Sequence, residues 1–304
     1  MHEVGSTEGA PAAIRQRLAS AAPELLREFP INAYISALDA SDEYSPYMLL
    51  PPRIEEWCTE TRGRHGADVL EDYHRLLLLS VVESFEATAI PRGYPESILE
   101  LLRKYLRVVV AQLARNPQGF YLPENDLFLK DLGVCRQTLL PCGAQLVERR
   151  AAIPRSWSWK GGFRRLPGFA LYVASHLRGF RPLYQLHMDS RLLLEFNPAG
   201  WERCYRRIAE LLVSDPAVRG VFGASWWFDP QLEHVSPRLA FLRTLPESNG
   251  ARVFRIGERE AATKFALANS KQRQELYAQG RYRPADYLLV WGREDLLAWA
   301  NTEA

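Results

Sequence analysis

The chain has few cysteines, almost no net charge and no long apolar run, and each shortage excludes a class of protein. Its four cysteines include no Cys-x-x-Cys pair and no histidine at zinc-finger spacing: they are Cys58, Cys135, Cys142 and Cys204. This pattern is typical of reduced, buried thiols rather than of a disulfide scaffold or a zinc module. The formal net charge is only +2. The overall electric field of such a protein does not attract nucleic acid or a charged membrane, which argues against either as a partner. The apolar runs are far shorter than a membrane-spanning helix requires.

A secretory leader is not indicated either. The first ten residues are polar and acidic, and they lack the basic and apolar regions of a signal peptide. We therefore expect residues 1–10 to be disordered and the protein to be cytoplasmic. The excess of arginine over lysine favours a bacterial source.

Hydrophobic periodicity divides the remainder into two parts. Residues 11–118 contain helical periods, most clearly in 67–90, and Asn116-Pro117-Gln118-Gly119 ends this part. Beyond it, strand-like and helix-like segments alternate, as they do in α/β layers. The sequence predicts an α/β protein, with an N-terminal helical domain at 11–118 and a mixed sheet flanked by helices at 119–304. A length of 304 residues and an apolar content of 47% suit two such domains.

The segment Pro182–Asp229 organises the second part. It is predicted to contain a strand over 183–189, a helix over 201–213 and a strand over 218–228. A short β-α-β unit of this kind usually holds two adjacent parallel strands joined by a right-handed crossover. Ligands tend to bind at the carboxyl ends of such strands.

His187 and Asp189 lie at the end of the first of these strands. Spacing by two residues predicts that both side chains share one face. Asp189 could then orient His187 as a general base, or the pair could bind a metal with a third ligand from His234 or Asp229. A hydrogen-bonded core histidine is the alternative interpretation.

The segment 148–165 is the only strongly basic run. It contains six cations and one acid, with Trp157, Trp159 and Phe163 among them. The cations are Arg149, Arg150, Arg155, Lys160, Arg164 and Arg165. Cations interleaved with aromatic rings suit a phosphate-bearing cofactor, a nucleic acid strand or an anionic surface. A solvated loop anchored by its tryptophans is the alternative.

Three large aromatic residues end the second strand of the unit. Trp226, Trp227 and Phe228 cannot all point into one core from a strand, so one face must meet a helix or a ligand. We therefore expect a substrate pocket lined by Trp226, Trp227, Asp229 and His234.

The segment 268–282 resembles the late helix of GNAT acyltransferases, in which a Leu-Tyr pair leads into a Gly-aromatic turn and a strand. Here Leu276-Tyr277, Gly280 and Tyr282 occupy those places, and 182–229 resembles the family's central unit in outline. The resemblance implies an acyl-coenzyme A donor and Tyr277 as general acid. The helix near Trp201 opens with a single glycine, Gly200.

Phosphate binding at that helix is a further expectation. A helix N-terminus presents free backbone N–H groups, which suit the phosphates of a coenzyme. The cofactor-binding residues expected on this basis are Gly200, Trp201, Arg203, Arg164 and Arg165.

Three hypotheses about function follow. The first is an acyl-coenzyme A-dependent N-acyltransferase that acts on a small-molecule or amino-acid-like amine, with His187, Asp189 and Tyr277 as catalytic residues. The second is a non-catalytic module that binds an anionic partner through Arg149–Arg165. The third is a metal-dependent enzyme that uses His187 and Asp189. The sequence leaves the acceptor, the acyl group and the oligomeric state open.

Overall fold

The computed structural model describes residues 10–89, 92–115, 118–160 and 166–302. The chain divides into two compact units at the bond between Pro141 and Cys142. Helices of the first unit are α1 (Ala10–Ala21), α2 (Leu25–Glu28), α3 (Ile31–Asp39), α4 (Pro52–His65), α5 (Ala67–Glu83), α6 (Phe85–Ala89), α7 (Glu96–Arg115) and α8 (Asp126–Cys135). The division falls later than residue 118, since α8 and the short strand β1 (Leu139–Pro141) belong to this unit.

Helix α5 is the centre of the first unit. Ten of its residues are buried, in a run that is nearly continuous from Leu70 to Val81. A helix that is buried almost all round packs against neighbours on several sides, and α5 contacts α1, α4, α7 and α8. Gly66 (φ +89°) separates it from α4, a conformation that favours glycine.

The sheet is mixed and has six strands in the order β1-β2-β3-β4-β6-β5. The strands of the second unit are β2 (Leu146–Ala151), β3 (Leu183–His187), β4 (Gly220–Ser225), β5 (Arg252–Gly257) and β6 (Asp286–Gly292). Strands β3 and β4 are parallel, whereas β2–β3, β4–β6 and β5–β6 are antiparallel. This architecture confirms the α/β prediction, including the adjacent parallel pair.

Helix α11 (Pro198–Ser214) joins the two parallel strands. Its buried residues recur at helical spacing, beginning with Trp201, Cys204, Tyr205 and Ile208, and this apolar stripe packs on the sheet. Tyr205 packs against Trp291 of β6 at 5.1 Å between ring centroids. The crossover is therefore built as the pattern predicted.

The other helices of the second unit cover the sheet and its ends. They are α9 (Arg155–Lys160), α10 (Leu166–Tyr172), α12 (Leu232–Val235), α13 (Phe241–Ser248), α14 (Glu260–Ala268), α15 (Lys271–Ala278) and α16 (Arg293–Ala300). Helix α10 and the π-helical turn that follows it, Val173–Leu177, pack on Leu183, Phe222 and Val290 of the sheet.

The helical period of 259–279 predicts a single helix, but this segment contains two helices. Helix α14 ends before Asn269, and Ser270 then caps α15 by accepting a hydrogen bond from the backbone N–H of Arg273 at 3.3 Å. The sequence prediction was wrong here because serine competes with the helix for backbone donors and favours a new N-terminus. Over the described ranges, none of the helices combines the length and apolarity needed to cross a membrane.

Candidate functional site

A histidine and a glutamate meet on neighbouring strands at the carboxyl end of β3. The Nε2 atom of His187 lies 2.8 Å from Oε2 of Glu148, and the two side chains are only 9% and 5% exposed. Strand pairing explains the contact: His187 is opposite Leu146, and Glu148 is two residues further along β2, within diagonal reach of a long side chain. A carboxylate in this position accepts a hydrogen bond from the imidazole and orients the ring.

The strand predicted over 183–189 ends at His187, two residues earlier than expected, and Asp189 lies beyond it. Asp189 instead caps the 3-10 turn Ser190–Glu195 by accepting from the backbone N–H of Arg191 at 2.8 Å. Asp189 is fully buried, and the guanidinium of Arg191 also binds its carboxylate, with Nη2 at 2.7 Å from Oδ2. Its side-chain oxygen satisfies the first donor of a turn, which ends the strand.

Strands β3 and β4 pair over a short stretch. Their register contains Tyr184 opposite Val221 and Gln185 opposite Phe222. Strand β3 runs on to His187 and β4 to Ser225, so the two carboxyl ends continue beyond the shared ladder. His187 therefore lies where a parallel pair opens, which is the usual place for a ligand in an α/β sheet.

The N-terminus of α11 is closed by the chain itself. Asn197 accepts a hydrogen bond from the N–H of Gly200 at 2.9 Å, and the N–H of Trp201 donates to the Asn197 carbonyl at 2.8 Å. A Cβ atom at Gly200 would overlap the carbonyl of Glu195. The carboxylate of Glu195 in turn binds Arg203 at 2.6 Å.

This geometry does not fit a phosphate at Gly200, Trp201 and Arg203. The two backbone donors are engaged, Gly200 and Trp201 are buried, and Arg203 faces an acid. The space that an anion needs beside a helix N-terminus is filled by the backbone of Glu195. Phosphate could reach these groups only after the 3-10 turn moved away.

The basic run is only partly within the described residues. Arg149 and Arg150 lie on β2, Arg150 pairs with Asp215 at 3.2 Å, and Arg155 begins α9. Arg164 and Arg165, the two cations expected to bind the cofactor, lie outside the described residues.

The three aromatic residues after β4 are not part of the strand. They form the 3-10 turn Trp226–Phe228, in which Ser225 accepts from the N–H of Trp227 at 3.2 Å. The strand prediction is wrong at this point for the same reason as at Asp189, a side-chain cap. Trp226 and Phe228 are buried, whereas Trp227 is half-buried and packs against Phe196 at 5.3 Å.

The other predicted pocket residues have separate environments. Asp229 is buried and accepts from the N–H groups of Gln231 (2.9 Å) and Ala285 (3.3 Å), and burial raises its pKa. Its side chain therefore ties two chain segments together. His234 is exposed on α12.

Tyr277 lies on α15, the helix whose Arg273 contacts Trp226. It is 36% exposed on α15, with the guanidinium of Arg283 at 5.8 Å from its ring. Arg273, one turn earlier on α15, stacks on Trp226 at 5.0 Å. Residues four apart share a helix face, so Tyr277 lies on the face of α15 that meets Trp226.

A metal centre at His187 would need at least three protein ligands. Within the ranges that the structure describes, no group of three or more His, Cys, Asp or Glu side chains is arranged to hold a metal ion. The contact identified at His187 is with the carboxylate of Glu148.

Comparison with known proteins adds little to the geometry. No protein-family model matches the chain, and no curated protein matches it. One solved structure is similar, a crystal structure of an acyltransferase in complex with decanoyl-CoA. The similarity covers 94% of this chain and 80% of that chain, with a TM-score of 0.46 and 16% sequence identity, which is too low to support an argument about activity.

Proposed function

We propose that the second unit is an acyltransferase that moves an acyl group from a coenzyme A thioester to an amine. The contact between His187 and Glu148 at the carboxyl end of β3 carries this proposal. A buried histidine held by a carboxylate is a general base, and it stands at the opening of a parallel strand pair. The resemblance of 268–282 to GNAT acyltransferases supplies the choice of reaction class.

The proposed reaction forms one bond and breaks another. The acceptor amine attacks the thioester carbonyl, a C–N bond forms and the C–S bond breaks. With Nε2–H donating to Glu148, the basic lone pair of the neutral imidazole is on Nδ1. Nδ1 of His187 takes the proton that the amine loses, and the negative charge of Glu148 balances the positive charge of the resulting imidazolium.

Tyr277 is the proposed acid for the leaving thiolate. Its place on the face of α15 that meets Trp226 supports this role, because Trp226 directly follows β4.

The proposed test compares two histidine–carboxylate pairs of the same unit. His187→Gln keeps one hydrogen bond with Glu148 but cannot carry a proton. We expect it to lower the rate of coenzyme A release, measured with a thiol reagent and a panel of amines and acyl chain lengths, by about 10²–10⁴-fold. Glu148→Gln should lower the rate less, since the imidazole is retained.

His176→Gln is the matched control. His176 also contacts a carboxylate, Asp295 at 3.1 Å, but on the surface beside α16. This variant should keep the wild-type rate. Equal rates in wild type and His187→Gln, with both proteins folded by circular dichroism, would remove His187 from the reaction and with it the proposed mechanism.

A further inference from the structure

Arg273 is a buried cation without a buried anion. It is 4% exposed, and within the described part of the chain no carboxylate lies at ion-pair distance from it. Its Nε donates to the carbonyl of Ala266 near the end of α14, its Nη1 donates to the hydroxyl of Ser236 at 2.9 Å, and its guanidinium stacks on Trp226. Arginine is rarely buried without an acidic partner.

A second cation lies near the same place. Arg238 is exposed on the turn after Ser236. Burial of Arg273 is the main cause that lowers the pKa of Arg273, and the charge of Arg238 lowers this pKa further. In the described residues Arg238 has neither a hydrogen bond nor an ion pair of its own. Two like charges at one site are unfavourable without an anion between them.

The hydroxyl of Tyr282 is an independent sign of a missing partner. Tyr282 is fully buried, and its oxygen has no hydrogen-bond partner among the residues described. It belongs to the same apolar cluster as Trp226 and Ala266, two of the residues that Arg273 contacts. A buried hydroxyl without a hydrogen-bond partner is unfavourable, so a ligand that accepts a hydrogen bond from it would remove this cost.

We propose that Arg273, Arg238, Ser236 and Tyr282 form a subsite for an oxyanion, a carboxylate or a phosphate group. The planar guanidinium binds such groups by two parallel hydrogen bonds, and the two hydroxyls supply further donors. Trp226, on which Arg273 stacks, directly follows β4, whose parallel partner β3 ends at His187. If the proposed acyl transfer is correct, the anion is a charged group of one of its two substrates. Only this assignment of the anion rests on the proposed function, and the anion site itself does not.

Binding of simple anions tests the subsite without any catalysis. Thermal denaturation and calorimetric titration are run with sodium phosphate, sodium acetate and coenzyme A at constant ionic strength. We expect at least one of them to raise the melting temperature of the wild-type protein in a saturable manner. Tyr282→Phe should melt at the same temperature as wild type or higher without ligand, and should bind that anion about 5- to 10-fold more weakly.

Three further variants make the result specific. Tyr205→Phe removes an equally buried hydroxyl from α11, beside Trp201 and Trp291, and should bind like wild type. Arg238→Gln changes an exposed side chain and should weaken binding without loss of stability. His187→Gln should bind the anion normally, so that loss of activity and loss of anion binding are separate results.

The three ligands distinguish the source of the anion. Weaker binding of coenzyme A by Tyr282→Phe assigns the subsite to a phosphate of the donor. Weaker binding of acetate with unchanged coenzyme A binding assigns it to a carboxylate of the acceptor. The proposal is overturned if none of the three ligands binds, or if Tyr282→Phe and Arg238→Gln bind all three as tightly as the wild type does.

Discussion

Buried histidines in this chain have different partners, and the partner decides what each can do. His187 meets the carboxylate of Glu148, an acceptor that orients the ring. His74 on α5 is fully buried, with Nδ1 at 2.7 Å from the carbonyl oxygen of Tyr121 and Nε2 at 3.2 Å from the hydroxyl of Tyr34. These neutral partners suit a neutral imidazole, in which Nδ1 donates and Nε2 accepts.

His74 should make the protein sensitive to mild acid. Burial lowers its pKa to about 4, below the value of about 6.5 in the unfolded chain. Between these two pH values the unfolded state binds a proton that the folded state does not, so stability falls as the pH falls through this window. The full loss is about 3 kcal/mol, of which about 2 kcal/mol is expected between pH 6.5 and 5.

Urea denaturation of wild type and His74→Gln measures this contribution. The variant is less stable at pH 7.5, because two buried hydrogen bonds are disturbed, but it lacks the titrating group. The free energy of unfolding of the wild type should therefore fall by about 2 kcal/mol more than that of the variant between pH 7.5 and pH 5. Parallel losses would show that His74 is not neutral in the fold.

At the scale of elements, β4 begins where two backbones approach closely. Gly220 has φ +154°, and a Cβ atom there would overlap the carbonyl oxygen of Trp291 on β6. Gly257 at the end of β5 has a similar φ of +147°, but nothing lies within 4 Å of the corresponding Cβ position. The two glycines separate the cost of backbone conformation from the cost of a steric overlap.

Alanine at these two positions should have unequal effects. Gly257→Ala introduces conformational strain alone, about 1–2 kcal/mol. Gly220→Ala adds the overlap with Trp291 and should cost about 2 kcal/mol more. Chemical denaturation of both variants gives the comparison. A smaller loss for Gly220→Ala than for Gly257→Ala would mean that β4 and β6 do not approach as described.

At the scale of the whole molecule, each of the two compact units contains two cysteines, whose thiols can be used to follow its unfolding. Cys58 and Cys135 belong to the first unit, and Cys142 and Cys204 belong to the second. All four are reduced and buried. Burial raises the pKa of both Cys58 and Cys204 to about 12, and it also raises the pKa of Cys142.

The native protein should therefore resist thiol reagents. A pKa of about 12 lowers the thiolate fraction at pH 7.5 by roughly 10³-fold relative to an ordinary cysteine, and burial hinders access as well. We expect no reaction in buffer and four modified thiols in urea. Alkylation followed by peptide mass spectrometry should give one midpoint for Cys58 and Cys135 and one for Cys142 and Cys204. Rapid modification of any thiol in native protein contradicts its burial.

Local patterns were enough to determine the architecture. Period-2 and period-3.6 spacing located β3, α11 and β4 and predicted that the strands are parallel neighbours, because an apolar face must be buried whatever the rest of the chain does. The failures lie at element ends, at Asp189, Trp226 and Ser270. At these places the side chain of Asp189, Ser225 or Ser270 accepts a hydrogen bond from the backbone. This local hydrogen bond outweighs the periodicity.

Only the tertiary structure decided which side chains meet. Glu148 reaches His187 across 39 positions of sequence, through the register of two strands that no single-sequence pattern encodes. A glutamate within the otherwise apolar start of β2 was the one available signal. Likewise, Glu195 occupies the N-terminus of α11 and Arg273 stacks on Trp226. Such contacts depend on how the chain folds back on itself, whereas periodicity reports only which face of an element is buried.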